Sequence, residues 1–153
     1  MKLTIASVGK VRKGPFKTLA DDYHARLQHY RPLDLVDVRE SSASDAEQRK
    51  LEEGAALLAA VPDGATIVAL DERGKHWTSV ELARWLDEKM VEGTRHVALL
   101  VGGPEGLSVD VRKRAHVVLA LSKFTFPHDL ARVVLAEQLY RAFTIVRGEP
   151  YHR

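Results

Sequence analysis

The sequence predicts an α/β protein, a parallel sheet with helices on both of its faces. Three observations lead there. Short β-rich runs alternate five times with segments whose apolar residues recur at helical spacing. The run TIVALD reads as a buried strand, and two of the intervening segments open on the spacing of a capping box.

The first strand is LTIASVG, closed by Gly9. From Pro15 onward, Phe16, Leu19, Tyr23, Leu27 and Tyr30 fall at helical intervals. LDLVDV, after Pro32, alternates strictly, with Leu33 and Leu35 on one face and Val36 and Val38 on the other. The second helix is predicted to start at Ser44 with Glu47 completing the box, and the third at Thr78 with Glu81. HVALLVGG is the fourth strand, and SVDVRKRAH is a short helix opening at Ser108. VVLALS is the fifth strand, and the last helix is expected from Asp129 to Arg147. No linker, repeat or low-complexity segment interrupts the pattern, so residues 1–153 read as one domain.

Composition narrows the function classes. Apolar residues make up 45% and charged residues 29%, the balance of a soluble globular protein. The absence of cysteine excludes disulfides and thiolate zinc sites and favours a reducing cytoplasm. The opening MKLTIASVGKVRKG has an apolar run too short for a signal peptide, and no stretch approaches the roughly 20 apolar residues of a membrane span. Net charge is only +2, but Lys2, Lys10, Arg12, Lys13 and Lys17 all precede Asp21. That basic edge is either a solvated face or a phosphate-binding one.

In open parallel sheets, ligands bind beyond the carboxyl ends of the strands. Three loops there carry unusual chemistry: LDERGK from Leu70, GGPEG from Gly102, and SKFTFPH from Ser122. None matches a phosphate-binding fingerprint. The G-x-G-x-x-G and Walker A patterns are absent, and Ser108 lacks a nucleophile elbow and sits where a helix cap belongs. The seven histidines include no H-E-x-x-H and no i, i+4 pair, so no metal site is expected. Two glycines at a strand end let a ligand approach the backbone, and Pro104 fixes the turn that follows. Ser122 to Pro127 offers main-chain donors and acceptors between Phe124 and Phe126, an arrangement that suits an adenine ring; a tight turn over two core phenylalanines is the other reading.

Taken together, LLVGGPEGLS (99–108), LSKFTFPHDLARVVLAEQLYRA (121–142) and the terminal PYHR (150–153) closely resemble the ribosomal large subunit RNA methyltransferase H family, a small branch of the SPOUT methyltransferases. The likeness runs from the MKL start to the tail. It implies a SPOUT-type α/β knot, with a deep trefoil knot in the C-terminal half, S-adenosylmethionine bound there in a bent form, and a homodimer. It also implies a reaction: methylation at N3 of a pseudouridine in the decoding-proximal stem-loop of 23S rRNA, on the assembled ribosome. Periodicity alone would have chosen an ordinary flavodoxin-like sheet. Position by position, the resemblance puts Leu70, Gly103, Ser122, Lys123, Phe124, Thr125, Phe126 and Pro127 in the cofactor pocket, each within one of the three loops already singled out.

The chemistry of the acceptor adds further candidates. A sulfonium already activates the methyl group, so no metal is needed, and the protein must position the acceptor and help its N3 proton leave. A cation near the developing anion would assist. The candidates are His152 and Arg153 in the tail and Arg132 and Arg141 on the last helix, with Glu137 or His128 as possible bases. RNA contacts are expected from Lys10, Arg12 and Lys13 on the basic edge and from Tyr151, His152 and Arg153 in the tail. Along the last helix, Leu130, Val133, Val134, Leu135, Leu139, Tyr140, Phe143, Ile145 and Val146 exceed the roughly 100° stripe needed to cover one sheet, which suggests a second partner. Two other classes stay open: a nucleotide-dependent oxidoreductase of flavodoxin-like or Rossmann-like fold, and a non-catalytic ribosome-associated factor.

Overall fold

A computed structural model describes residues 1–152. In chain order the elements are β1 (Lys2–Val8), α1 (Pro15–Gln28), β2 (Leu33–Val38), α2 (Ala46–Ala59), β3 (Thr66–His76), α3 (Ser79–Val91), β4 (His96–Val101), α4 (Val109–Arg114), β5 (Val117–Ala120) and α5 (His128–Val146), with a 3-10 turn at Pro150–His152. All strand pairs are parallel, in the order β2-β1-β4-β3-β5. The α/β class and the helices on both faces are as the sequence predicts. The order is not flavodoxin-like, because β4 rather than β3 lies beside β1.

Alternation along the strands sorts the apolar side chains into two cores. Leu3, Ile5, Val68, Val97 and Leu99 face α1, α3 and α5 through Leu27, Leu86, Leu135 and Leu139. Ala6, Val8, Ile67, Ala69 and Leu100 face α2 and α4 through Leu57 and Val111. The helix that follows β3 therefore lies on one face and the helix that follows β4 on the other. Their connections diverge at the carboxyl rim and leave a crevice there.

Local chemistry sets the element ends. Thr78 and Glu81 form the expected box: Thr78 Oγ1 accepts the Glu81 N–H at 3.2 Å, and Glu81 accepts the Thr78 N–H at 2.6 Å. Ser108 caps α4 as predicted. The second helix differs: Asp45, not Ser44, is its cap and accepts the Gln48 N–H at 2.9 Å. β3 also runs on past the predicted Asp71. Leu70 and Lys75 both pair with Leu119, so the four residues between them bulge out at the rim.

α5 packs between α1 and α3. Val133, Leu135, Leu139 and Phe143 are buried, Tyr140 packs against Tyr23 and Tyr30, and no residue of the helix is fully exposed. Leu130, Val134, Ile145 and Val146 are only half-buried, so the chain itself covers part of the helix's apolar breadth.

Candidate active site

The crevice holds a cavity of about 500 Å³. β3 supplies Leu70 and, from its bulge, Asp71 and Glu72, the loop after β4 supplies Gly102, Gly103 and Pro104, and the segment after β5 supplies Ser122 to Phe126. Seven of the eight residues expected around the cofactor line it. The exception is Pro127, which is exposed at the start of α5.

Glycine is required in the loop after β4 for packing reasons. A Cβ on Gly102 would lie 2.8 Å from the Gly106 carbonyl carbon and 3.0 Å from the Leu107 nitrogen, so any side chain there would push the loop open. Gly106 has φ +84°, and its N–H closes the turn on the Gly103 carbonyl at 2.9 Å. A Cβ on Gly103 would point at Glu53 and Val8.

Two arginines brace this loop from behind. Arg49 on α2 pairs with Glu105, its Nε at 2.9 Å, and also donates to the Ala43 and Ser44 carbonyls at 2.9 Å. The bonds from Arg49 hold the Glu105 carboxyl below its ordinary pKa. Arg112 on α4 donates to the Leu107 carbonyl at 2.9 Å and reaches Asp71 at 3.4 Å, joining the bulge of β3 to the loop after β4. Sequence reading missed both, since an arginine on an amphipathic helix looks like surface charge.

The segment after β5 pairs with no strand. Ser122 Oγ accepts the Phe124 N–H at 2.9 Å, the only hydrogen bond of the segment among the described residues. Phe126 is half-buried, whereas the Phe124 side chain is 82% exposed on the cavity lip, so only one of the two expected apolar walls is packed. From there the chain crosses the rim to His128, which lines the cavity and donates from Nε2 to the Val8 carbonyl at 3.1 Å. That bond leaves Nδ1 as the only ring nitrogen able to accept a proton.

The acceptor-side candidates lie elsewhere. Arg141 is thirteen residues along α5 from His128, about 20 Å at the helical rise. Both Nε and Nη2 of Arg141 donate to Glu137, at 2.9 and 2.6 Å, and this pairing raises the pKa of the guanidinium. Glu137 also accepts the Tyr151 hydroxyl at 3.1 Å and the Gln138 amide at 2.7 Å, so it is fully engaged. Tyr151 packs edge-on against Tyr140 at 4.6 Å with the Arg141 guanidinium 4.9 Å over its ring, and burial pushes its phenol well above the ordinary value. Its ring is thus occupied within the chain rather than free to stack on a base. His152 is exposed, and Arg153 lies outside the described residues.

Lys10, Arg12 and Lys13 are exposed on the loop after β1. Arg132 anchors that loop by donating to the Gly9 carbonyl at 2.7 Å and to Asp37 at 2.6 Å. None of Arg132, Arg141, Tyr151 and His152 lines the cavity.

A parallel sheet with three segments converging on one cavity at its carboxyl rim defines the open α/β class whose ligands bind at that edge. Comparison with known proteins makes the class specific. The family model described as "Predicted SPOUT methyltransferase" matches residues 1–152. Curated proteins named ribosomal RNA large subunit methyltransferase H match along the whole chain. The one from Anaeromyxobacter sp. is 46% identical with 100% of each chain covered, and the one from Syntrophotalea carbinolica is 44% identical with 99% of each covered. Among solved structures, a probable methylase family protein from Haemophilus influenzae has a TM-score of 0.55 at 16% identity, covering 99% of this chain and 70% of the other. TrmJ from Z. mobilis also has a TM-score of 0.55, at 17% identity, covering 94% and 70%. The chain belongs to the SPOUT methyltransferases, in the ribosomal RNA large subunit methyltransferase H branch.

Proposed function

We propose that this protein transfers a methyl group from S-adenosylmethionine to N3 of a pseudouridine in 23S rRNA, on the assembled ribosome, as a cytoplasmic homodimer. One observation carries the reading: Leu70, Gly103 and Ser122 to Phe126, distant in sequence, surround a single cavity of about 500 Å³. The names of the relatives support the RNA substrate.

The residues present fit the cofactor. A side chain at Gly102 would meet loop backbone and one at Gly103 would press on Glu53 and Val8, so the cavity wall there is narrow, and the segment after β5 leaves main-chain groups free for the edge of an adenine. When bound, S-adenosylmethionine supplies a methyl group already activated by its sulfonium. The chain's own tasks are to orient the acceptor, exclude water and receive the N3 proton. His128 faces the cavity with Nδ1 able to accept. Glu137 and Arg141 are engaged in fixing Tyr151, so they serve as anchors that set the direction of the tail.

The separation of tail and cavity supports the homodimer. With about 20 Å of helix between them, one protomer's His152 and Arg153 serve an acceptor held at its partner's cavity. Lys10, Arg12 and Lys13 then grip RNA phosphates beside it. The crossing from β5 over the rim to the end of β1 is the kind of path a trefoil knot requires, and the knot is part of this proposal.

A methyl-transfer assay tests the reading, using ribosomes from a strain that lacks the endogenous activity, followed by mass mapping of the product. One methyl at pseudouridine N3, formed on assembled ribosomes and not on free RNA, is the expected outcome. Binding to ribosomes without transfer would overturn it in favour of a non-catalytic factor.

A further inference from the structure

Directly behind the glycine loop is a carboxylate that the proposed chemistry does not use. Glu53 sits on the inward face of α2, in the stripe with Gly54 and Leu57, and is only 4% exposed. One oxygen accepts the Ser41 N–H at 3.0 Å. The other, Oε2, is buried with no hydrogen-bond partner among the described residues. It lies 3.0 Å from where a Cβ on Gly103 would be, and Gly103 is cavity wall.

The cations nearest in sequence are committed elsewhere, Arg49 to Glu105 and two carbonyls, and Lys50 to Glu47 at 3.1 Å. A buried carboxylate without a cation is costly, and its field is poorly screened. Only the backbone of one glycine separates that field from the cavity.

Resting on the proposed cofactor reading, we propose that Glu53 determines specificity between donor and product. It favours the positively charged sulfonium over the neutral thioether through the Gly103 backbone. S-adenosylmethionine carries a net positive charge, and its demethylated product does not, because the electrons of the broken S–C bond remain on sulfur. In its ionised form the Glu53 carboxylate behind the loop attracts the first and not the second. The spent cofactor is therefore released more readily than the donor.

Calorimetry with S-adenosylmethionine and with S-adenosylhomocysteine, on the full chain, tests this. Glu53→Gln is expected to weaken donor binding about tenfold, to leave product binding nearly unchanged, and to raise the Tm of the ligand-free protein by removing a buried charge. Glu53→Asp, which retains the charge, should keep the wild-type preference. Should the glutamine variant not fold, Glu53→Ala serves as the neutral comparison. Equal weakening of both ligands, or an unchanged ratio between them, would overturn the assignment and leave Glu53 a brace for Ser41. If the wild-type protein bound neither ligand, the cofactor reading itself would fall and this inference with it.

Discussion

At the rim, Leu70 to Glu72, the glycine loop and Ser122 to Phe126 line one cavity, while Arg49 and Arg112 brace the glycine loop through Glu105 and Leu107. At the far end of α5, side chains of Arg141, Glu137, Tyr140 and Tyr23 hold Tyr151, and His152 is exposed. The contrast is that three segments distant in sequence meet at the rim, whereas the tail residues lie away from that cavity. The rim should tolerate side-chain change but not added Cβ atoms, and the tail should do the opposite.

The sharpest break between the two regions comes from removing Tyr151 to Arg153. Methyl transfer should fall by about 100-fold or more, with cofactor affinity by calorimetry unchanged. An equal fall in both would mean that the tail is part of the cofactor site. Next in size is Gly102→Ala, whose Cβ meets loop backbone at 2.8 Å. Cofactor affinity should drop roughly 10- to 100-fold, since the loop must open, while binding to ribosomes persists. A smaller effect is expected of Arg112→Met, which unties Leu107 from Asp71. A loss of about fivefold in cofactor affinity, measured by the same titration, would match one lost charge-assisted bond.

The smallest effect concerns the basic edge beside α1. His24 has a buried, unpartnered Nδ1, and burial holds its pKa below the ordinary 6.5. A histidine with a lowered folded-state pKa is neutral in both states above 6.5, so its contribution is intact there. Below 6.5 the unfolded chain takes up the proton first, and stability falls with pH until the lower folded pKa is passed. Glutamine at position 24 should therefore reduce the drop in Tm between about pH 7 and 5 without altering cofactor affinity. A drop as steep as in the wild type would place the acid sensitivity elsewhere.

Much of the fold was legible because its signals are local. The Thr78 box, the Ser108 cap and the five strand–helix repeats need only neighbouring residues to specify them. Strand order is not local. Nothing in HVALLVGG says whether it neighbours β1 or the fifth strand, and the observed order has β4 beside β1. The segment DERG reads as a turn, yet β3 resumes after it, because Lys75 and His76 find partners on β5. Asp45 displaced Ser44 as a cap for want of any rule that ranks adjacent cap residues.

The site divides in the same way. Glycine and proline mark loops directly, so the three rim segments stood out. Arg49 and Arg112 did not, because what makes them braces is a partner on another element. Glu53 left a trace that was readable, a charge on the apolar stripe of α2. The apolar breadth of α5 is met in part by two flanking helices of the same chain, which periodicity along one helix does not reveal.

Everything rests on one cavity, lined by three stretches of the chain, being where the methyl donor sits. The most direct measurement is a crystal structure of the protein with S-adenosylhomocysteine. The ligand should lie at the rim against Leu70, Gly103 and the backbone of Ser122 to Phe126. Density for it at any other place, or those three segments standing apart around an empty rim, would contradict the account.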